Sequence, residues 1–242
     1  MTLISYPQRL AQHVAADPDH PALTVLTAGM TTGGDDDGTI TRAELEALTN
    51  RTARALVAKG VEQDDLVTIA LPNSIAFVAT TIACWKLGAV PQPVSARLPK
   101  RELEAIIELA APRVVVDAPL DLDDFDDGPL ANTDAVSNPY KAMTSGGSTG
   151  RPKLILANQA STIDPDAAPL LGMALNGTHV MPGPLYHNGP FIWTMTALLA
   201  GNHVVLGGKF DAEQTLQMID RYHPDSLYLV PTMMARISKL PP

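Results

Sequence analysis

Cysteine is almost absent from this chain, since Cys84 is the only one among 242 residues. A single thiol excludes any disulfide within the chain, and such a composition is typical of proteins in a reducing cytosol. Basic residues are also scarce: 17 Lys and Arg face 26 Asp and Glu, for a formal net charge of −9. That balance argues against nucleic acid or an anionic membrane as a partner of the bulk surface. We therefore expect a cytoplasmic protein.

Long apolar runs are missing as well. The most apolar stretch, residues 75–85, is bounded by Ser74 and Lys86, and it is shorter than the roughly 18 residues that a bilayer-spanning helix needs. The first seven residues contain no basic region and no long apolar run, unlike a signal peptide. We expect no transmembrane segment. What is present, 45% hydrophobic and 18% charged residues, is ordinary for a globular enzyme.

Strand-like and helical patterns alternate along the chain. Strands are predicted at 22–26, 38–41, 67–71, 89–94, 113–117, 154–157, 203–207 and 227–230. Helices are predicted at 42–59, from Asn73 or Ser74 to near Gly88, and at 101–111, 191–200 and 211–222. Strands that alternate with helices of this length predict an α/β fold, with largely parallel sheets flanked by helices on both faces.

An acidic segment divides the chain. Five aspartates lie between residues 121 and 127, in a stretch with few apolar residues. Their spacing does not match a calcium-binding loop, so we interpret residues 118–139 as an exposed acidic linker. The sequence thus predicts an N-terminal α/β subdomain over 1–139, which ends in this linker, and the start of a second α/β subdomain over 140–242.

The stretch from Thr144 to Lys153 carries the strongest functional signal, reading Thr-Ser-Gly-Gly-Ser-Thr-Gly-Arg-Pro-Lys. Its glycines allow backbone N–H groups to turn toward a ligand, and its hydroxyls and lysine suit phosphate oxygens. A Walker A loop is excluded because Pro152, not Gly, precedes the lysine. A dinucleotide-binding loop is excluded because no Gly-x-Gly-x-x-Gly fits these glycines. A polyphosphate-binding loop, which we favour, and a surface linker remain.

Residues 145–153 resemble the phosphate loop of the adenylate-forming superfamily, which includes acyl-CoA synthetases, peptide-synthetase adenylation domains and firefly-type luciferases. The chain departs from the family pattern at Gly146, usually Ser or Thr, and at Leu154, usually Gly. Other landmarks of the family have similar counterparts here, in the same order, at residues 41–45, 71–74, 86–94, 184–191 and 230–236. The resemblance favours the acyl-CoA synthetase branch.

The resemblance implies an ATP-dependent carboxylic acid–CoA ligase that forms an acyl-adenylate and then an acyl-CoA, using ATP, Mg²⁺ and CoA. It assigns the ATP phosphates to Thr144, Ser145, Gly146, Gly147, Ser148, Thr149, Gly150 and Lys153. The family's adenine, ribose and late-lysine segments do not occur in these 242 residues. We therefore expect an N-terminal fragment that is inactive by itself and carries no catalytic residue. Transfer to a carrier-protein thiol and a non-catalytic nucleotide-binding module are the alternatives.

A second candidate site surrounds His187, within Tyr-His-Asn-Gly-Pro-Phe and directly before an apolar helix. The residues alone leave three roles open for this histidine: lining a pocket, bonding a carboxylate or capping the helix. The resemblance assigns His187, Asn188 and Gly189 to the pocket for the acyl group. No metal site is predicted, because the six histidines show no ligand-like spacing with one another or with Asp and Glu.

Overall fold

The computed structural model of the protein describes residues 2–26, 38–131, 134–145, 152–167 and 170–241. The chain divides into two compact units. Unit 1 comprises Met1–Gln12, Glu46–Pro72 and Ala76–Asp166, and unit 2 comprises His13–Leu45, Asn73–Ile75 and Ala167–Pro242. Residues on both sides of the boundary predicted after position 139 therefore cluster in unit 1.

Helices and strands alternate over most of the described residues. The α-helices are α1 (Tyr6–Ala16), α2 (Arg42–Ala58), α3 (Ile75–Lys86), α4 (Lys100–Ala110), α5 (Asn188–Leu199), α6 (Ala212–Tyr222) and α7 (Pro231–Ile237). The strands are β1 (Ile4–Ser5), β2 (Pro21–Leu26), β3 (Gly38–Thr41), β4 (Leu66–Ile69), β5 (Val90–Pro93), β6 (Val114–Val116), β7 (Ala142–Ser145), β8 (Lys153–Leu156), β9 (Thr162–Ile163), β10 (Thr178–Met181), β11 (His203–Gly207) and β12 (Ser226–Leu227). The predicted α/β class is confirmed.

Unit 1 contains a parallel sheet in the order β5-β4-β6. Its strands are parallel because a helix returns the chain to the same edge between successive strands, α3 between β4 and β5 and α4 between β5 and β6. Helix α3 is buried along almost its whole length, from Phe77 to Lys86. Two antiparallel pairs, β7 with β8 and β1 with β9, also belong to this unit.

Unit 2 contains a five-stranded sheet in the order β12-β10-β11-β2-β3. All its neighbours are parallel except β2 and β3, which form an antiparallel pair. A buried cluster joins the sheet to α6, and its members are Leu26, Val180, Val205 and Met218. The parallel arrangement places the carboxyl ends of β10, β11 and β2 at one edge, where ligands bind in many α/β proteins.

Helix α2 begins and ends where local sequence signals predict. The Thr41 backbone N–H donates to Glu44 Oε2 at 2.7 Å, and the Glu44 N–H donates to Thr41 Oγ1 at 3.2 Å. This reciprocal capping box is the one predicted from the Thr-x-x-Glu spacing. At the other end, Gly60 adopts φ +84°, a left-handed conformation that glycine reaches without a steric cost.

The acidic segment is anchored to α2 through its backbone. Its described residues, 118–131 and 134–139, form no helix or strand. The side chains of Asn50, Arg51 and Arg54 donate hydrogen bonds of 2.9 to 3.2 Å to backbone carbonyls of Leu122, Asp126, Asp127, Gly128 and Pro129. The carboxylates remain exposed, as predicted, but α2 holds the path of the chain.

None of the helices that the structure describes is both long enough and apolar enough to cross a membrane.

Candidate functional site

The Gly- and Ser-rich stretch connects two paired strands. Strands β7 and β8 run antiparallel, with Thr144 opposite Leu154 and Ser145 opposite Lys153. Thr144 and Ser145, predicted as part of the loop, therefore lie at the end of a strand, because backbone pairing overrides the turn preference of their hydroxyl side chains. Residues 146–151, which include the predicted Gly146, Gly147, Ser148, Thr149 and Gly150, lie outside the described residues.

A buried glutamine holds the end of β7. Gln92 Nε2 donates to Thr144 Oγ1 at 3.1 Å, while Gln92 Oε1 accepts a hydrogen bond of 2.7 Å from Thr68 Oγ1. Gln92 is completely buried, so its amide must find protein partners. The two bonds connect β4, β5 and β7 and orient the Thr144 hydroxyl. Gln92 was not predicted as a site residue, although a polar side chain inside an otherwise apolar strand is a signal that the sequence carries.

Lys153 begins β8 and is exposed to solvent. Its place opposite Ser145 brings the two ends of the Gly- and Ser-rich connection together, with a lysine on one strand and a hydroxyl on the other. An ammonium group on a flexible stem suits phosphate oxygens that approach such a connection.

A second lysine, Lys141, lies just before β7 and is buried. Lys141 is only 4% exposed, and this burial lowers the pKa of its side chain to about 8. Its ammonium lies 5.3 Å from the centre of the Tyr140 ring. Tyr140 in turn makes an edge-on contact with Tyr6, and its carbonyl accepts a 2.7 Å hydrogen bond from Trp85 Nε1.

In unit 2, His187 occupies the N-cap position of α5, with φ −92° and ψ 143°. Its side chain makes no capping hydrogen bond, so capping by the imidazole, one of the three predicted roles, is excluded in this structure. The ring is exposed and lies 4.4 Å from the Tyr186 ring. The imidazole of His187 therefore faces solvent at the carboxyl edge of the five-stranded sheet.

Gly189 makes a close contact inside unit 2. A Cβ at this position would lie 2.2 Å from the hydroxyl of Tyr228, so a larger residue here would require the Tyr228 side chain to move. Tyr228 also packs against Trp193, with ring centres 5.6 Å apart. Gly189 was predicted as a site residue and Tyr228 was not, since nothing in the strand-like pattern near residue 228 indicates which helix Tyr228 contacts. Asn188 is exposed at the start of α5.

The candidate residues fall into two groups. Thr144, Ser145 and Lys153 belong to unit 1, while His187, Asn188 and Gly189 belong to unit 2. The part of the chain that the structure describes contains no cluster of three or more His, Cys, Asp or Glu able to hold a metal ion.

Comparison with protein families gives one match over nearly the whole chain. The family described as "AMP-binding enzyme" matches residues 10–137 and 121–242. The two matched stretches overlap, and together they include every candidate residue discussed above.

Curated relatives extend the comparison to complete proteins. The chain is 28% identical over 224 residues to a feruloyl-CoA synthase of Amycolatopsis sp., covering 84% of this chain and 46% of that protein. It is 24% identical to a long-chain-fatty-acid–CoA ligase of Mycobacterium tuberculosis, covering 76% and 42%. A probable non-canonical nonribosomal peptide synthetase of Salinispora arenicola is 28% identical over 81% of this chain and 2% of its own length. The chain thus spans about half the length of the synthase and of the ligase.

Solved structures agree in fold. The N-terminal domain of FACL13 from Mycobacterium tuberculosis superposes with a TM-score of 0.78 at 21% identity, covering 98% of this chain and 66% of that one. The O-succinylbenzoate coenzyme A synthetase of Bacillus subtilis, in complex with AMP, gives a TM-score of 0.75 at 22% identity, covering 99% and 66%. These likenesses show the fold, and the family match over residues 10–137 and 121–242 shows that the chain belongs to the AMP-binding enzyme family.

Proposed function

We propose that these residues form the N-terminal part of a protein that activates a carboxylic acid with ATP and transfers the acyl group to CoA. The observation that carries the proposal is the β7–β8 pairing, which sets Lys153 opposite Ser145 at the base of a Gly- and Ser-rich connection. Thr144, whose hydroxyl is oriented by Gln92, adds a third polar group to that base. In our proposal Thr144, Ser145 and Lys153, with residues 146–150, bind the ATP phosphates.

The proposed reaction has two steps. First, a carboxylate oxygen of the acid attacks the α-phosphorus of ATP, the bond from that phosphorus to the bridging oxygen breaks, and pyrophosphate leaves. Next, the CoA thiolate attacks the acyl carbonyl and AMP leaves. The chain's contribution to the first step is to position the phosphates and offset the charge that accumulates on pyrophosphate. Mg²⁺ is proposed to enter bound to ATP, through phosphate oxygens.

The acid is proposed to contact His187, Asn188 and Gly189. The exposed imidazole of His187 lies at the carboxyl edge of a parallel sheet, and its side chain is not used for capping. Two relatives, a feruloyl-CoA synthase and a long-chain-fatty-acid–CoA ligase, support an acid and CoA as substrates.

The relative among peptide synthetases supports a second candidate, transfer of the acyl group to a carrier-protein thiol. The proposed function is tested by acid-dependent exchange of labelled pyrophosphate into ATP, followed by product analysis with CoA or a carrier protein as the acceptor. We expect exchange by the whole protein and a CoA thioester as the product. Exchange without formation of a CoA thioester would favour a carrier protein as the acceptor. No exchange with any acid would contradict both candidate acyl transfers and favour a nucleotide-binding module. The 242-residue chain by itself is expected to show no exchange.

Replacing Lys153 by alanine is expected to weaken the use of ATP. A charge-assisted hydrogen bond contributes about 1.5 to 3 kcal/mol, so we expect the KM for ATP to rise about ten- to hundredfold. The KM for the acid should change much less, because Lys153 is proposed to meet only phosphate. Steady-state kinetics of the whole protein measure both constants.

Lys100→Ala is the matched control for that prediction. Lys100 is 89% exposed and forms a 3.8 Å surface pair with Glu104 within α4, a type of pair that contributes little. Equal changes in the two KM values of Lys153→Ala, or an ATP effect of the same size in Lys100→Ala, would contradict the phosphate assignment.

Replacing His187 by alanine is expected to change the preference among acids. If the imidazole contacts the acid, the ratio of kcat/KM for a small and a large acid should shift by several-fold, while the KM for ATP stays within twofold. His20→Ala is the control, because His20 lies before β2, at the opposite end of the parallel strands of the same unit. A lower melting temperature with an unchanged ratio of acids would show that His187 has only a structural role.

A further inference from the structure

One side chain, that of Asn73, bonds to three backbone groups at the carboxyl edge of the five-stranded sheet. Its Nδ2 donates to the carbonyl oxygens of Gly183 at 2.9 Å and Gly207 at 2.8 Å. Its Oδ1 accepts a 2.9 Å hydrogen bond from the Leu185 N–H. The helix that became α3 was predicted to begin at Asn73 or Ser74, and the amide of Asn73 makes three bonds to chain segments far away in sequence.

The three partners are the groups that determine the path of the chain after two neighbouring strands. Gly207 is the last residue of β11, and Gly183 follows β10 by two positions. The two segments approach closely, since a Cβ at Gly207 would lie 3.2 Å from Pro182 Cα. A backbone carbonyl that the sheet ladder does not pair needs another donor. The carboxamide of Asn73 supplies two donors, which a carboxylate of the same shape lacks.

The Leu185 hydrogen bond leads directly to His187. Leu185 is completely buried, and the next turn is closed by the His187 N–H donating to the Pro184 carbonyl at 3.2 Å. The His187 carbonyl then accepts from the Phe191 N–H at 3.0 Å, the first turn of α5. Because the His187 side chain makes no capping bond, its place depends on this backbone path.

We propose that Asn73 is a positioning residue for His187: it fixes the segment from Gly183 to Leu185 and thereby the place of the imidazole. The proposal rests on the proposed function, in which His187 contacts the acid. Asn73 itself need not touch a substrate. Its loss should therefore reduce the use of the acid and leave the use of ATP nearly intact.

The test compares Asn73→Ala and Asn73→Asp with Asn202→Ala. Asn202 is a matched control, because it is 1% exposed and its Oδ1 accepts a 2.6 Å hydrogen bond from the Gly177 N–H, linking the opposite ends of the same two strands. Histidine resonances of the 242-residue chain, with the His187 signal assigned from its loss in His187→Ala, report the place of the imidazole without any reaction. Steady-state kinetics of the whole protein report the use of the acid.

Both Asn73 variants should shift the His187 resonance and lower kcat/KM for the acid at least tenfold, with less than a threefold change in the KM for ATP. Asn73→Asp should lower kcat/KM for the acid at least as much as Asn73→Ala, because the new carboxylate has only acceptors to offer to the carbonyls of Gly183 and Gly207. Asn202→Ala should lower the melting temperature comparably and leave the His187 resonance in place. An unmoved resonance in both Asn73 variants overturns the positioning role. If the His187 resonance moves but kcat/KM for the acid is unchanged in both Asn73→Ala and His187→Ala, Asn73 does position His187. That result overturns the contact between His187 and the acid in the proposed function.

Discussion

Replacing Arg42 by alanine is expected to lower the free energy of unfolding by about 3 to 5 kcal/mol, the largest effect of any single change considered. Arg42 is the first residue of α2 and is only 7% exposed. Its guanidinium donates to four acceptors within unit 2: the carbonyls of His13 and Asp17 at 3.3 Å, Asn176 Oδ1 at 2.7 Å and the Gly201 carbonyl at 2.6 Å. Alanine removes all four of these hydrogen bonds and creates a cavity, although the His13 carbonyl still accepts from the Asp17 N–H at 3.1 Å.

Urea denaturation of the variant and of the parent chain measures this loss. Arg42→Lys should recover only part of it, because an ammonium cannot reproduce the planar fork of five donors. Arg101→Ala, at an exposed position of α4, is the control and should change stability by less than about 0.5 kcal/mol. A loss in Arg42→Ala no greater than in Arg101→Ala would mean that the four bonds contribute nothing net.

The buried Lys141 is expected to make stability depend on pH between about 8 and 10.5. Burial lowers the pKa of Lys141 to about 8 in the folded protein, from an ordinary value of 10.5. Below pH 8 the side chain is charged in both states, and the cost of burying that charge is fully present. Between the two pKa values the folded protein releases the proton and the unfolded chain retains it, so stability rises with pH.

The change is isolated by comparison with Lys141→Met, an apolar side chain of similar length. The stability of the parent chain relative to this variant should rise by about 2 to 3 kcal/mol from pH 7 to pH 10, given about 1.4 kcal/mol for each pKa unit. The comparison is needed because burial also raises the pKa of Tyr6, to about 12, and the pKa of the Cys84 thiol, both of which oppose the rise at high pH. A pH-independent difference between the two chains would show that Lys141 titrates normally.

Elements governed by neighbouring residues were predicted well. Helix α2 was found from the Thr41–Glu44 spacing and from Gly60, because a capping box and a left-handed glycine act within a few residues of the helix end. Helix α4 was predicted at 101–111 and is found at Lys100–Ala110. The parallel pairing of β4, β5 and β6 also followed from the alternation of strands and helices.

Elements that depend on distant partners were missed or misread. Strand β7 reads as part of a loop in the sequence, and it becomes a strand by pairing with β8 across the Gly- and Ser-rich connection. Strand β10 was not predicted, although it lies inside the five-stranded sheet, between β11 and β12. Helix α1 was also missed, although its start carries a local signal: the Ser5 N–H donates to Gln8 Oε1 at 2.9 Å and the Gln8 N–H donates to Ser5 Oγ at 3.3 Å, which is a capping box.

The candidate sites show the same division. The sequence by itself determined the chemistry that is available: a stretch rich in glycine and hydroxyls that ends in Lys153, a histidine before an apolar helix, and no possible disulfide between two cysteines of these 242 residues. These properties belong to single residues or to close neighbours along the chain. Only the tertiary structure decided which groups meet, including Ser145 opposite Lys153, Gln92 on Thr144, and Asn73 on Gly183, Leu185 and Gly207. The reason is physical: a buried amide bonds to whichever backbone groups the packed strands leave unpaired, and more than 100 residues separate Asn73 from its partners.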